Sequence, residues 1–328
     1  MNKVNDMPRD DQTGIVAMHP SARALIDQMI ALAPEPLYQM TPPEARAAFD
    51  DRHSRLVRPA ISVGHTVSRR FPGAQAEVPV RLYYPVGAAD EDLPVLVYFH
   101  GGGWVIGNLE TVDALCHDLC AQAQAVVVSV DYRLAPEHPF PAAIEDGQAV
   151  LDALRAEAGA LRVDARRIFV AGDSAGGNIA ASLALIEADA GHSLAGQVLI
   201  YPVTDVSTTH SSMLRFASGL NLDAATMQWF GDCYLPDPEM RSDWRASPLL
   251  ARMTAPPAPA LVVTAGYDPL LDEGAAYATR LASAGTPVEY LCFATQIHGF
   301  ATQTAVSSEG YLLRDVIAGF LRRHRIRG

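Results

Sequence analysis

The sequence predicts an α/β fold, with a mostly parallel central sheet flanked by helices and covered by a helical cap. Three observations predict it. Apolar strand-like runs alternate with helix-length segments over most of the 328 residues, which is the pattern of βαβ units. Several runs are continuously apolar rather than alternating, as in strands covered on both faces. Two stretches, 1–60 and 205–250, break the rhythm with helical patterning of their own.

Residues 1–60 read as helices ahead of the sheet. Thr41-Pro42-Pro43-Glu44 has a capping-box pattern with proline at the first helical position. Strands follow at VPVRLYYPV (78–86), PVLVYF (94–99), AVVVSVDY (125–132), RIFVAG (167–172), GQVLIYP (196–202), ALVVTAG (260–266) and PVEYLCF (287–293). Crossover helices fall at about 109–123, 140–158, 175–190, 271–285 and 308–324. The span 78–99 is too short for a crossover helix, so its two strands are expected to pair antiparallel. Residues 205–250 are too long for a simple crossover and place Met213, Leu214, Phe216, Met227, Trp229 and Phe230 among polar residues. The expected organisation is 1–60 as an N-terminal cap segment, 61–204 as the first part of the core, 205–250 as a cap insert and 251–328 as the second part of the core. The two cap segments should meet over the C-terminal edge of the sheet.

Composition narrows the function. Apolar residues make up 49% of the chain and charged residues 19%, enough for a packed core. A net charge of −12 argues against a nucleic-acid partner, because phosphate binding needs clustered Lys and Arg. The one basic cluster, Arg322-Arg323-His324-Arg325, suits the C-terminal end of a last helix. No stretch approaches the roughly 20 apolar residues of a membrane span. The opening MNKVNDMPRDDQTG lacks the apolar core of a signal peptide, so a cytoplasmic location is expected. Cys116, Cys120, Cys233 and Cys292 do not read as a disulfide framework. Cys116, His117 and Cys120 lack the second ligand pair of a structural zinc site, so no metal is expected.

The sharpest motif is Gly172-Asp173-Ser174-Ala175-Gly176, between an apolar strand and an alanine-rich helix. That setting is what a G-x-S-x-G nucleophile elbow requires. The glycines on either side leave room for a tight turn that lifts the Ser174 hydroxyl out of the sheet. A hydroxyl is a poor nucleophile until a base takes its proton. With the chain order serine, acid, histidine, only His192, His210, His298 and His324 qualify as that base. His298 follows the last strand and precedes the last helix, so its loop reaches the elbow. The acid lies between them. Asp268 stands nearest the end of ALVVTAG, where catalytic groups of open α/β sheets collect. Asp272 suits the first turn of the next helix.

His100-Gly101-Gly102-Gly103-Trp104 follows the strand PVLVYF. Acyl transfer builds charge on a carbonyl oxygen, which backbone N–H groups stabilise when no side chain intervenes. Gly102 and Gly103 can approach that closely, and the Ala175 N–H would complete an oxyanion hole. Gly101 allows the turn, and Trp104 is expected to line the pocket.

These residues resemble the hormone-sensitive-lipase family of α/β-hydrolases, the bacterial carboxylesterase branch. The likeness runs through HGGGW, DYRLAPEHPFPAAIED (131–146), GDSAGGN (172–178), YPVTD (201–205), YDPLLDEG (267–274) and IHGF (297–300), in the family's order. It implies the α/β-hydrolase fold with a cap, and Ser174, Asp268 and His298 as the triad. It implies that His100 shapes the glycine loop, and that Asp131, Arg133 and Glu137 are structural. The motif departs from the family at Leu271, where a charge is usual, and at Ala294-Thr295-Gln296, where a glycine turn is usual. The implied activity is hydrolysis of carboxylic esters, without a cofactor, and the cap suggests a bounded pocket and hence short to medium acyl chains. The same triad would serve amides, thioesters or lactones. A non-catalytic binding protein on this fold would lack the histidine. Relatives commonly dimerise, so the resemblance admits a homodimer.

Overall fold

The computed structural model describes residues 16–32, 35–87 and 92–324. Two helices come first, α1 (Pro20–Leu32) and α2 (Pro42–Ser54). At the start of α2 the Glu44 carboxylate accepts from both the N–H and the hydroxyl of Thr41, at 2.9 and 2.6 Å. The sheet and its helices then run β1 (His65–Phe71), β2 (Val78–Tyr84), β3 (Leu93–Phe99), α3 (Leu109–Ala123), β4 (Val126–Val130), α4 (Ala142–Ala156), α5 (Ala158–Leu161), β5 (Val163–Asp173), α6 (Ala175–Asp189) and β6 (Gly196–Ile200). After β6 come α7 (Ser211–Arg215) and α8 (Ala224–Tyr234), then β7 (Ala260–Tyr267), α9 (Leu271–Ser283), β8 (Val288–Ile297) and α10 (Glu309–His324). Residues 1–15 and Arg325 lie outside the described residues.

The eight strands are ordered β1-β2-β4-β3-β5-β6-β7-β8. All pairings from β4 to β8 are parallel. β2 is antiparallel to both of its neighbours, β1 and β4. The expected antiparallel pair at 78–99 is therefore corrected, because β4 inserts between β2 and β3. β1 was not expected. Its sequence, HTVSRRF, is exposed at six of seven positions and shows no apolar face.

Strand residues alternate between two cores, as the period of two demands. Val95, Val97 and Phe99 of β3 pack with α4, α6 and α9 on one face. Leu96 and Tyr98 pack with α3 and α10 on the other. On that second face a buried ion pair joins Asp118 of α3 to Arg314 of α10.

The two segments that break the βα rhythm meet each other over the sheet. Leu25, Ile26 and Met29 of α1 cluster with Phe216, and with Tyr267 and Ile297 at the C-terminal ends of β7 and β8. Ala45 and Phe49 of α2 pack in the same core as Phe230 of α8. Arg46 ties α2 down. It donates to the carbonyls of Val105 and Ala135 and pairs with both carboxylate oxygens of Glu137.

Candidate active site

Ser174 sits in the one-residue gap between β5 and α6, with φ 56° and ψ −119°. A positive φ strains any residue with a Cβ, so the surroundings must hold it. They do. The Ser174 N–H donates to the Ile200 carbonyl at 2.9 Å, and its own carbonyl accepts from Asn178 and Val203. The flanking glycines are steric necessities. A Cβ on Gly172 would lie 2.3 Å from the Gly176 carbonyl, and one on Gly176 would lie 2.0 Å from the Phe99 oxygen.

His298 follows β8 directly and Asp268 follows β7. The His298 Nε2 lies 3.0 Å from Ser174 Oγ, and its Nδ1 lies 2.7 Å from Asp268 Oδ2. Asp268 is fully buried, and its other oxygen accepts the Leu270 N–H. The Tyr201 ring packs beneath the imidazole at 4.5 Å, and Asn221 donates to the His298 carbonyl. The competing candidates are engaged elsewhere. Asp272 accepts the Ser212 N–H from the first turn of α9, His210 pairs with Asp205, and His192 pairs with Glu187.

The glycine loop turns beside the same serine. Gly102 and Gly103 have φ 118° and 58°, and both border the cavity at Ser174. The Gly102 carbonyl closes the turn by accepting from Val105 and Ile106. Gly103 lies so close to α8 that a Cβ would sit 2.1 Å from the Phe230 ring. Ala175 is fully buried at the first position of α6. Asp173 straps the elbow to the loop: its Oδ1 accepts from Tyr98 Oη at 2.9 Å and from the Gly101 N–H at 3.0 Å. Burial raises its carboxyl to about 6. His100 donates from Nδ1 to the Gly101 carbonyl and stacks on Tyr132 at 4.3 Å. Burial depresses its pKa to about 4, so it is neutral near pH 7.

Trp104 corrects the sequence reading. It does not border the cavity at Ser174. It is 1% exposed, stacks on Tyr234 at 4.4 Å, and faces a separate hollow beside Met213 and Met227. The backbone is left-handed at Gly102, Gly103 and Trp104, and the indole packs on Tyr234 rather than at the serine. The walls of the catalytic cavity come instead from Phe49 of α2 and Phe230 of α8, with Leu37 between α1 and α2, Ile106 after the glycine loop and Leu222 just before α8. Arg52 and His53 also border it, and sequence reasoning missed both. Nothing in Arg-His on a polar helix signals a cavity, because the tertiary packing of α2 alone puts them there. Among the described residues no three His, Cys, Asp or Glu side chains are grouped to hold a metal. No described helix is long and apolar enough to cross a membrane.

The sheet order, the elbow after β5 and the serine–histidine–aspartate contacts define an α/β hydrolase. The chain belongs to that family: the family model described as the alpha/beta hydrolase fold matches residues 96–302. Ethyl acetate hydrolase of Pseudomonas putida is 37% identical, over 84% of this chain and 87% of its own length. Carboxylic ester hydrolase LipN of Mycobacterium tuberculosis is 43% identical over 70% of this chain, and the match spans 62% of that relative's length. An alpha/beta hydrolase enzyme from the metagenome of Lake Arreo, Spain, superposes with a TM-score of 0.90. It is 41% identical, and the superposition covers 94% of this chain and 98% of that one.

Proposed function

We propose that the chain is a serine carboxylesterase working through an acyl-enzyme, with Ser174, His298 and Asp268 as its triad. The observation that carries the reading is the continuous contact from Asp268 through His298 to Ser174 Oγ. The relatives named above are ester hydrolases, which fits.

Ser174 Oγ attacks the ester carbonyl carbon while His298 Nε2 takes its proton. Charge moves to the former carbonyl oxygen, which the N–H groups of Gly102, Gly103 and Ala175 stabilise as the oxyanion hole. His298 returns the proton to the leaving alcohol oxygen as the carbon–oxygen bond breaks. Water then attacks the acyl-enzyme, losing a proton to His298, and the acid departs as Ser174 regains its own. Asp268 keeps Nδ1 protonated and supports the imidazolium. The helical layer above the sheet acts as a cap, and its Leu37, Phe49 and Phe230 bound the cavity. That bounded space favours short to medium acyl chains. The cytoplasm is the compartment that four unpaired cysteines fit.

The test is hydrolysis of 4-nitrophenyl esters from acetate to palmitate by wild type and Ser174→Ala. Wild type should turn over the shorter esters, and the variant should be inactive. Equal turnover by both would overturn the assignment.

A further inference from the structure

One strong charge in the catalytic cavity has no part in the acyl-transfer chemistry. Arg52, in the last turn of α2, borders the cavity beside Phe49 and His53. Its guanidinium carbon lies 5.6 Å over the Phe49 ring. The neighbouring arginines of this segment are paired, Arg46 with Glu137 and Arg55 with Asp51. Among the described residues no carboxylate comes within ion-pair distance of Arg52. The surrounding protein desolvates the group and lowers its pKa, yet a guanidinium keeps its charge. Arg52 is half-buried, and a cation partly drawn out of water without a carboxylate partner gains from an anion that binds there.

The neighbouring groups do not supply that anion. His53 is neutral near pH 7, because burial pushes it down to about 4. Asp173, the acid that borders the same cavity, is held by Tyr98 and Gly101. Arg52 also borders an outer groove together with Glu35 and Asp223, where Asp223 caps α8 through the Thr226 N–H and neither acid lies within ion-pair distance of Arg52. Two further polar atoms in the cavity wall lack partners. His53 Nε2 and Gln303 Oε1 are buried without a hydrogen bond, in residues 6% and 4% exposed. Both are acceptors that water or a substrate hydroxyl can serve, whereas a purely hydrocarbon substrate would leave the Arg52 charge without a partner.

We propose that Arg52 selects esters that bear a carboxylate, engaging that carboxylate while the scissile carbonyl sits at Ser174. Guanidinium and carboxylate match as a two-point fork, which makes arginine suited to the task. The substrates are monoesters of short dicarboxylic acids, or acylated hydroxy acids, according to which half of the ester carries the charge. The proposal rests on the esterase reading of Ser174.

Steady-state kinetics test it with two matched pairs. 4-Nitrophenyl butyrate against mono-4-nitrophenyl glutarate places the charge on the acyl half. Phenyl acetate against 4-acetoxybenzoate places it on the leaving half. Wild type should show a lower KM for the charged member of one pair, and added salt should shrink that advantage. In Arg52→Met the charged-to-neutral ratio of kcat/KM should fall about tenfold or more, mostly through KM, with Arg52→Lys falling between. Ratios unchanged in both pairs would overturn the proposal. So would a wild type that discriminates against charge in both. Inactivity of wild type toward every ester would instead strike the esterase reading, which separates the two failures.

Discussion

At Gly103 a single absent methyl decides how closely two distant parts of the chain approach. The Phe230 ring occupies the space a Cβ would need, and the backbone there is left-handed. With Gly103 as a proposed oxyanion donor, Gly103→Ala should lower kcat about 100-fold or more, the usual effect of displacing one such donor. Single-turnover acylation rates would measure it. Asp268→Asn should leave the contact geometry in place but reverse the histidine tautomer, lowering kcat by about 10⁴-fold on the precedent of other triads. A drop of less than tenfold would count against Asp268. Much at this scale was legible, because glycine spacing and chain order are written directly in the letters. Ser174, His298 and Asp268 do stand in contact. What the letters hid were encounters between remote residues, namely Phe230 against Gly103 and Trp104 against Tyr234.

At the scale of elements, periodicity exposed the buried strands and left the edge unseen. β4 and β6 are buried throughout, as are the later residues of β3 and β5, because both faces are covered, and those stretches are mostly apolar. β1 has one covered neighbour and solvent on most of its side chains, so HTVSRRF carries no pattern to read. Strand order escaped for another reason: sequence proximity suggests pairing, while the β4 insertion between β2 and β3 depends on three-dimensional closure. The hold of α2 on the core rests on few groups. Arg46 satisfies two loop carbonyls and Glu137 at once. Arg46→Met should destabilise the protein by about 1–2 kcal/mol. Hydrogen exchange should show faster opening in α2 than in α6. Uniform protection in both helices would mean that apolar packing alone secures α2.

Across the whole molecule, buried acids gather under the sheet's C-terminal edge. Glu273 lies fully buried there, accepting the N–H groups of Thr204 and Asp205. Burial, aided by Asp205 and Asp268, raises its pKa from 4.5 to about 8. The folded state therefore holds this proton more tightly than the unfolded chain. Its contribution to stability is full below about 4.5 and is lost as pH rises through about 8. Thermal midpoints should decline over that window, and Glu273→Gln should flatten the decline. A slope unchanged in the variant would place the titration elsewhere. The meeting of α8 with the glycine loop also bears on how such a protein can change over generations. Because Phe230 is at once a cavity wall and the surface on which Gly103 rests, a mutation there that admits a new substrate also loosens the loop that serves every substrate. Substrate range and turnover are thus coupled through one side chain, so a change at Phe230 is expected to move both together.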